Sequence, residues 1–392
     1  LGLDGRVKDS SLIFPILLAL AKEPLRAIVP KVSLRKLSKI PNVTLYGVEH
    51  LKEAVHFFKE PTQPARSEEI EGEWLEVKGK RYYYLKNYPL DFKDLKGQHL
   101  ALRAALVAAA GWHNILLEGS PGCGKSMIAK RLPYILPPMS LEEVLEVAKL
   151  MAFEGKEPDF RPQRQIRSPH HSATKASIFG GGSGEAKPGE VAYANKGVLF
   201  FDEFPHFSKS ILEALREPLQ DRVVHIARVN NKIVYESDFL FVAAQNPCPC
   251  GNLLSKTKEC RCTEAEIQRY RNKISDPLFD RIELYVQMSE VGPKDRPTAT
   301  SKELHECVIE AFKIQMERQG KLNAVLEEAE VDRHCVMSEE AEALLAQAIE
   351  RFALSMRSVA NIKRVSRTIA DLAASQIIEK EHLLEALRYR KK

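Results

Sequence analysis

Apolar and polar positions fall along this chain in blocks of two kinds. Short, nearly continuous apolar runs, NILLEG at 114–119, GVLFFDE at 197–203 and FLFVAAQN at 239–246, alternate with stretches of helical period at 99–110, 125–132 and 209–219. Such runs predict strands buried on both faces, and strands separated by helices predict a parallel sheet with helices covering it. Residues 1–60 read as a smaller α/β layer: a short strand with a DG turn, a helix, the strand AIVP, a polar helix, the strand VTLYGV and a last helix at 49–58. Residues 61–90 are polar and broken by proline, with a short hairpin around Gly79, and predict a linker. The tail, 299–392, carries Val359, Ile362, Val365, Ile369 and Leu372 at helical spacing and predicts a helical lid on the core at 91–298.

Length and composition narrow the classes. The 392 residues give room for two or three domains with proper cores. Hydrophobic residues at 44% and charged residues at 28% favour neither disorder nor membrane burial. The apolar run at 11–21 is too short to span a bilayer and is broken by Pro15. It imitates a signal peptide, yet Asp4 and Asp9 precede it and no initiator Met is present, so a buried helix in a chain that starts inside a longer protein is expected. Seven cysteines, an odd number without secretory context, suit a reducing cytoplasm. A net charge of +5 means that any nucleic-acid contact must come from local clusters.

The strongest chemical signal is Gly119-Ser120-Pro121-Gly122-Cys123-Gly124-Lys125-Ser126, which follows an apolar strand and opens a helix. That is the G-x-x-x-x-G-K-[ST] pattern in its required setting: glycines let the backbone approach phosphate, Lys125 supplies charge, and Ser126 can ligate magnesium. An acid pair at a strand end, Asp202 and Glu203, would hold the magnesium shell and orient the attacking water. Asn246 ends the next strand at the same sheet edge and would sense the γ-phosphate.

With these residues in view, the chain resembles the AAA+ ATPases of the magnesium-chelatase-like group, and within it the ComM/YifB competence family. RSPHHSA, KPGEVAYANKGVLFFDEFPHF, NPCPCG, CRCTEAEIQRY, DPLFDRIEL and VSRTIADL carry the resemblance. It implies an AAA+ core with ATP and magnesium as ligands, a ring, most often a hexamer, and a motor acting on single-stranded or branched DNA. Branch migration during natural transformation is the implied activity. A magnesium-chelatase-type motor subunit and a protein-remodelling machine are the alternatives. The resemblance also makes residues 1–60 the later part of an S5/Lon-protease-like domain, although Ser10, Ser11, Ser33 and Ser38 lie in helical or polar contexts without a nucleophile turn. It further implies that Arg281 reaches a neighbour's γ-phosphate and that Arg357 is the second sensor, with Arg269, Arg271 and Arg364 as rivals.

Two features stand apart. Residues 161–184 contain Arg161, Arg164, Arg167 and Lys175 without a single acid, include a glycine run, and are the first candidate for a DNA-binding pore loop; the hairpin at 223–236, with Arg228 and Lys232, is the second. Cys248, Cys250, Cys260 and Cys262 form two Cys-x-Cys pairs directly after the Asn246 strand, a set that could bind a structural zinc or remain free thiols.

Overall fold

The computed structural model describes residues 2–60, 63–66, 68–181, 187–227, 232–292 and 295–391. They divide into two compact units: Leu1–Trp74, Tyr82–Leu85 and Met139–Pro162 in one, and Leu75–Arg81, Lys86–Pro138 and Gln163–Lys392 in the other.

In the first unit the strands Leu25–Pro30 and Val43–Val48 pair in parallel, Leu25 opposite Val43. Helix Ile13–Leu20 buries Phe14 and Leu17 against them, and Phe14 meets Phe160 edge to face at 5.3 Å. The run at 11–21 is thus a helix buried on one face only, since Leu12, Ile16 and Leu20 are exposed. The first expected strand is reduced to an isolated bridge between Arg6 and His50. Packing groups two stretches differently from the expected bounds. Helix Leu141–Phe153, expected in the 91–298 core, contributes Val144, Leu145 and Ala148 to this unit's interior. Residues 61–90 are not a free linker, because Ala65 and Ile70 pack on the same interior, and Tyr82 and Tyr83 pair with Ser140 and Met139. The partner strand lies more than fifty residues downstream, outside any local pattern.

The second unit is built on five parallel strands in the spatial order Leu284–Gln287, Ile115–Glu118, Leu240–Gln245, Val198–Phe201 and Ile166–Arg167. The middle three are buried along their whole length. Alternation explains why they read as continuous apolar runs. Ile115, Leu117, Val198, Phe200 and Val242 face one interior, while Leu116, Leu199, Phe201, Phe241 and Ala243 face the other. Helix His99–Gly111 covers the first face together with the C-terminal helices Ser301–Gln319 and Met356–Leu372. The stretch expected as one helix at 209–219 breaks into Lys209–Ala214 and Arg216–Asp221, since Pro218 has no N–H for the turn before it.

The C-terminal helices are locked by buried charge as well as by apolar packing. Arg318 reaches Asp371 through two bonds of 2.6 and 2.9 Å, Arg367 donates to the same carboxylate at 3.0 Å, and Asn323 adds a fourth bond at 2.8 Å. The side chains of Arg367 and Asp371 are fully buried. Removing one member of such a set strands the remaining charge in a poor dielectric. Asp371→Ala should therefore lower the unfolding free energy by about 3–5 kcal/mol. Lys313→Ala, at an exposed ion pair with Glu310, should leave urea unfolding unchanged within error. Equal unfolding midpoints for the two variants would contradict the assignment.

Candidate nucleotide site

Because the five strands run in parallel, their C-terminal ends emerge along one edge. Glu118 leads into the loop 119–126, Phe201 into Asp202 and Glu203, Gln245 into Asn246, and Arg167 into Ser168, Pro169, His170 and His171. The loop curls tightly: a Cβ on Gly119 would lie 2.7 Å from Cys123 Sγ, and Gly122 and Gly124 take φ of +82° and +101°. Cys123 is buried, filling the space under the loop. The Lys125 ammonium folds back on the loop, donating to the Gly119 carbonyl at 2.5 Å, to Ser120 O at 3.1 Å and to Asn246 Oδ1 at 3.2 Å. Lys125 and Asn246, distant in sequence, therefore meet at one point.

The acids face the same point. Ser126 Oγ donates to Asp202 Oδ2 at 2.8 Å, so a hydroxyl and a carboxylate already share the position where a hard cation with oxygen ligands would sit. Ser120 Oγ is buried in the loop, and no hydrogen-bond partner for it is found among the described residues. Glu203 adopts a left-handed backbone, φ +53°. Its carboxylate lies 3.4 Å from His171 Nδ1 and 3.5 Å from His206 Nδ1. A cavity of about 530 Å³ opens between these groups, lined by Pro121, Lys125, Ser126, His170, His171, Asp202, Glu203 and Asn246. The residues fit ATP with magnesium. Sequence reasoning did not single out His171 and His206, which the fold brings beside Glu203. RSPHHSA was visible only as a signature, and its legible signal was a polar pair directly after a strand that neighbours the acid strand.

Arg281 and Arg357 lie elsewhere. Asn114, which precedes the phosphate-loop strand, donates through Nδ2 to the Arg281 carbonyl, so Arg281 sits at the N-terminal edge of the sheet. A four-residue strand separates the two edges by about 13 Å. Arg281 and Arg357 converge there on Gln220 Oε1, the first through a short contact and the second at 3.5 Å. Burial, followed by the like charges of Arg357 and Arg216, lowers the Arg281 pKa. Among the described residues neither guanidinium forms an ion pair. Arg357 does not line the cavity of its own chain. Of the rivals, Arg364 is committed to the Leu326 carbonyl, while Arg269 and Arg271 are exposed on helix Glu264–Arg271.

The basic stretch at 161–184 does not form the expected patch. Arg164 is buried, donates to the carbonyls of Pro137, Pro138 and Lys196, and stacks on Trp112 at 4.8 Å. It ties the sheet's flank together and is unavailable to phosphate. Arg167 packs over the Tyr193 ring at 5.1 Å beside Glu190, and Arg161 pairs with Asp159 at 2.6 Å in the first unit. Lys175 is exposed at the start of helix Lys175–Phe179, and Arg161 is exposed but paired with Asp159. Spacing along the sequence hid the carbonyl and aromatic partners of the arginines. Arg228 lies outside the described residues, as does the side chain of Lys232 on the strand Lys232–Glu236.

The geometry separates binding from chemistry. Lys125→Ala should abolish nucleotide binding measured by fluorescent-nucleotide titration, whereas Glu203→Gln should bind and fail to turn over. Replacing His171 and His206 together by Ala should lower turnover with little change in affinity. Nucleotide affinity equal to wild type in the Lys125 variant would contradict the site. Arg164→Ala should destabilise the fold by about 1–3 kcal/mol, because three buried carbonyls lose their donor.

Comparison with known proteins agrees with this architecture. The family model for magnesium chelatase, subunit ChlI, matches residues 91–296, and the model for the C-terminal part of the same subunit matches 298–390. The chain is similar to the competence protein ComM of Haemophilus influenzae, 37% identical over 399 residues, covering 100% of this chain and 76% of the relative. It is also similar to the uncharacterized protein YifB of Salmonella typhimurium, 39% identical over 76% of this chain and 60% of the relative. A third relative is the uncharacterized protein Rv2897c of Mycobacterium tuberculosis, 33% identical over 100% of this chain and 77% of the relative. The phosphate loop, the acid pair on a buried parallel strand and the C-terminal helices thus fall within two adjoining matches, and the chain belongs to the magnesium chelatase ChlI family of AAA+ proteins.

Proposed function

We propose that this chain is the ATP-hydrolysing subunit of a homo-oligomeric ring motor that acts on DNA, with branch migration in the integration of incoming DNA as its task. The observation that carries the motor reading is the split of the catalytic groups between two edges of one sheet. Lys125, Ser126, Asp202, Glu203 and Asn246 gather at the C-terminal edge, and two guanidiniums without ion pairs gather at the other. An anionic γ-phosphate supplied by another copy would satisfy those cations, so Arg281 and Arg357 both act in trans. In this arrangement the second sensor works beside the finger.

Lys125 leaves its carbonyl and Asn246 contacts to hold the phosphates, and Asn246 follows the state of the γ-phosphate. Ser126 and Asp202 would hold magnesium, which would neutralise charge on the phosphates. Glu203 orients the attacking water, and His171 and His206 fix its carboxylate. Arg281 and Arg357 of the adjoining copy offset charge as the γ-phosphoryl departs. A six-membered ring follows the family resemblance.

The DNA reading is supported by the similarity to a competence protein, since competence is the uptake of DNA. A magnesium-chelatase motor is the second reading, favoured by the two family matches. ATP turnover with and without forked DNA separates them: stimulation supports the DNA motor, and unchanged turnover in an assembled sample opposes it. For the shared interface, Arg281→Ala and Glu203→Gln chains should each be inactive alone and recover part of the activity when mixed. No recovery in mixtures shown to co-assemble would remove Arg281 as the finger.

A further inference from the structure

We propose that Cys248, Cys250, Cys260 and Cys262 bind one structural zinc ion that clamps the loop after Asn246 onto the phosphate loop, so that nucleotide affinity depends on the metal. The metal site stands independently of the ATPase reading, and the dependence of affinity on it rests on that reading.

Between Gln245 and Glu264 the chain forms neither helix nor strand. Irregular loops of this length are uncommon in compact domains and need something to hold them. Apolar packing does not suffice: beyond Pro247 and Cys248 no side chain of the loop is buried, and Leu254 is exposed. The four sulfurs, however, all lie within 4.8 Å of one another. Cys248 Sγ is 3.4 Å from Cys250 Sγ and 3.7 Å from Cys260 Sγ, and Cys250 and Cys260 are 3.7 Å apart. A tetrahedral zinc with bonds of about 2.3 Å requires sulfur edges of about 3.8 Å. A disulfide would need about 2.05 Å, and all four cysteines are free thiols. Iron–sulfur clusters distribute their thiolates over several irons, whereas these four surround one point.

The site also has a route to the nucleotide. Gly251 closes the first Cys-x-Cys turn with φ +79°, its N–H donating to the Cys248 carbonyl at 3.0 Å. A Cβ at Gly251 would lie 2.7 Å from Pro121 Cδ, so the turn rests directly on the phosphate loop. Cys248 follows Asn246 by two residues, and Asn246 holds Lys125. Midway along, the loop is tied by Ser255 and the Lys256 N–H to Glu290. The metal joins Cys260 and Cys262, beyond that tie, to the first Cys-x-Cys turn and holds Gly251 against Pro121, which preorganises the phosphate loop.

The test uses the whole chain purified without chelator or histidine tag. Elemental analysis should find about one zinc per chain, and cobalt(II) exchanged into the site should give the spectrum of a tetrahedral tetrathiolate. Cys260→Ser with Cys262→Ser should lose the zinc and bind a fluorescent nucleotide about tenfold more weakly. Cys307→Ser, at an exposed helical thiol, should keep both properties. Because the double variant can misfold, the wild type is also treated with a zinc-selective chelator. Affinity should fall about tenfold and return on adding zinc. A wild type that holds no zinc and takes up no cobalt overturns the site, and iron in its place overturns the zinc assignment. Metal removal without change in affinity overturns the clamp. Zinc-loaded wild type that binds no nucleotide would instead sink the ATPase reading and leave the metal site standing.

Discussion

The parallel register of the five strands is the constraint on which the rest depends. Ile115 pairs with Val242 and Leu284, and Val198 pairs with Leu240, so the strands end nearly level. Level, parallel ends bring the phosphate loop, the acid pair and Asn246 to one edge without any of them being neighbours in sequence. The same register puts Arg281, just before the strand Leu284–Gln287, at the other edge. One geometric fact therefore gathers the site's groups at one edge and keeps Arg281 away from them within the chain. Burial on both faces enforces it, because a slip of one residue would exchange the two interiors of every strand.

Around that frame, polar groups do two kinds of work. Arg164 with its three carbonyls, and Arg318 and Arg367 with Asp371, are cations consumed by structure, with their donors satisfied inside the unit. Arg281 and Arg357 crowd each other instead, and burial with like charge depresses the Arg281 pKa. Repulsion of this kind is relieved by an anion. Glu203 lies between these cases: its left-handed backbone costs conformational energy, and two imidazoles hold the carboxylate at the cavity.

Much of this was legible in the sequence. Continuous apolar runs ending in Gly119, Asp202 and Asn246 announced buried parallel strands and the phosphate chemistry at their ends. Val359, Ile362, Val365 and Ile369 announced the lid helix and are buried in it. What escaped depended on contacts between distant segments. The arginines at 164 and 167 looked like a solvated patch because the Trp112 and Tyr193 rings lie far off along the chain. Helix Leu141–Phe153 joined the first unit through apolar surface that local periodicity cannot assign to a partner. His171 and His206 gained their meaning only when a turn with positive φ brought Glu203 between them.

The central claim is that hydrolysis needs two copies of the chain, because its cations and its acids occupy opposite edges of one sheet. Specific ATPase activity measured across a range of protein concentrations, with oligomeric state followed by sedimentation in the same samples, tests it most directly. Activity per chain should be near zero where the protein is monomeric and rise in step with assembly. Constant activity per chain through the dissociation range would mean that one copy holds a complete site.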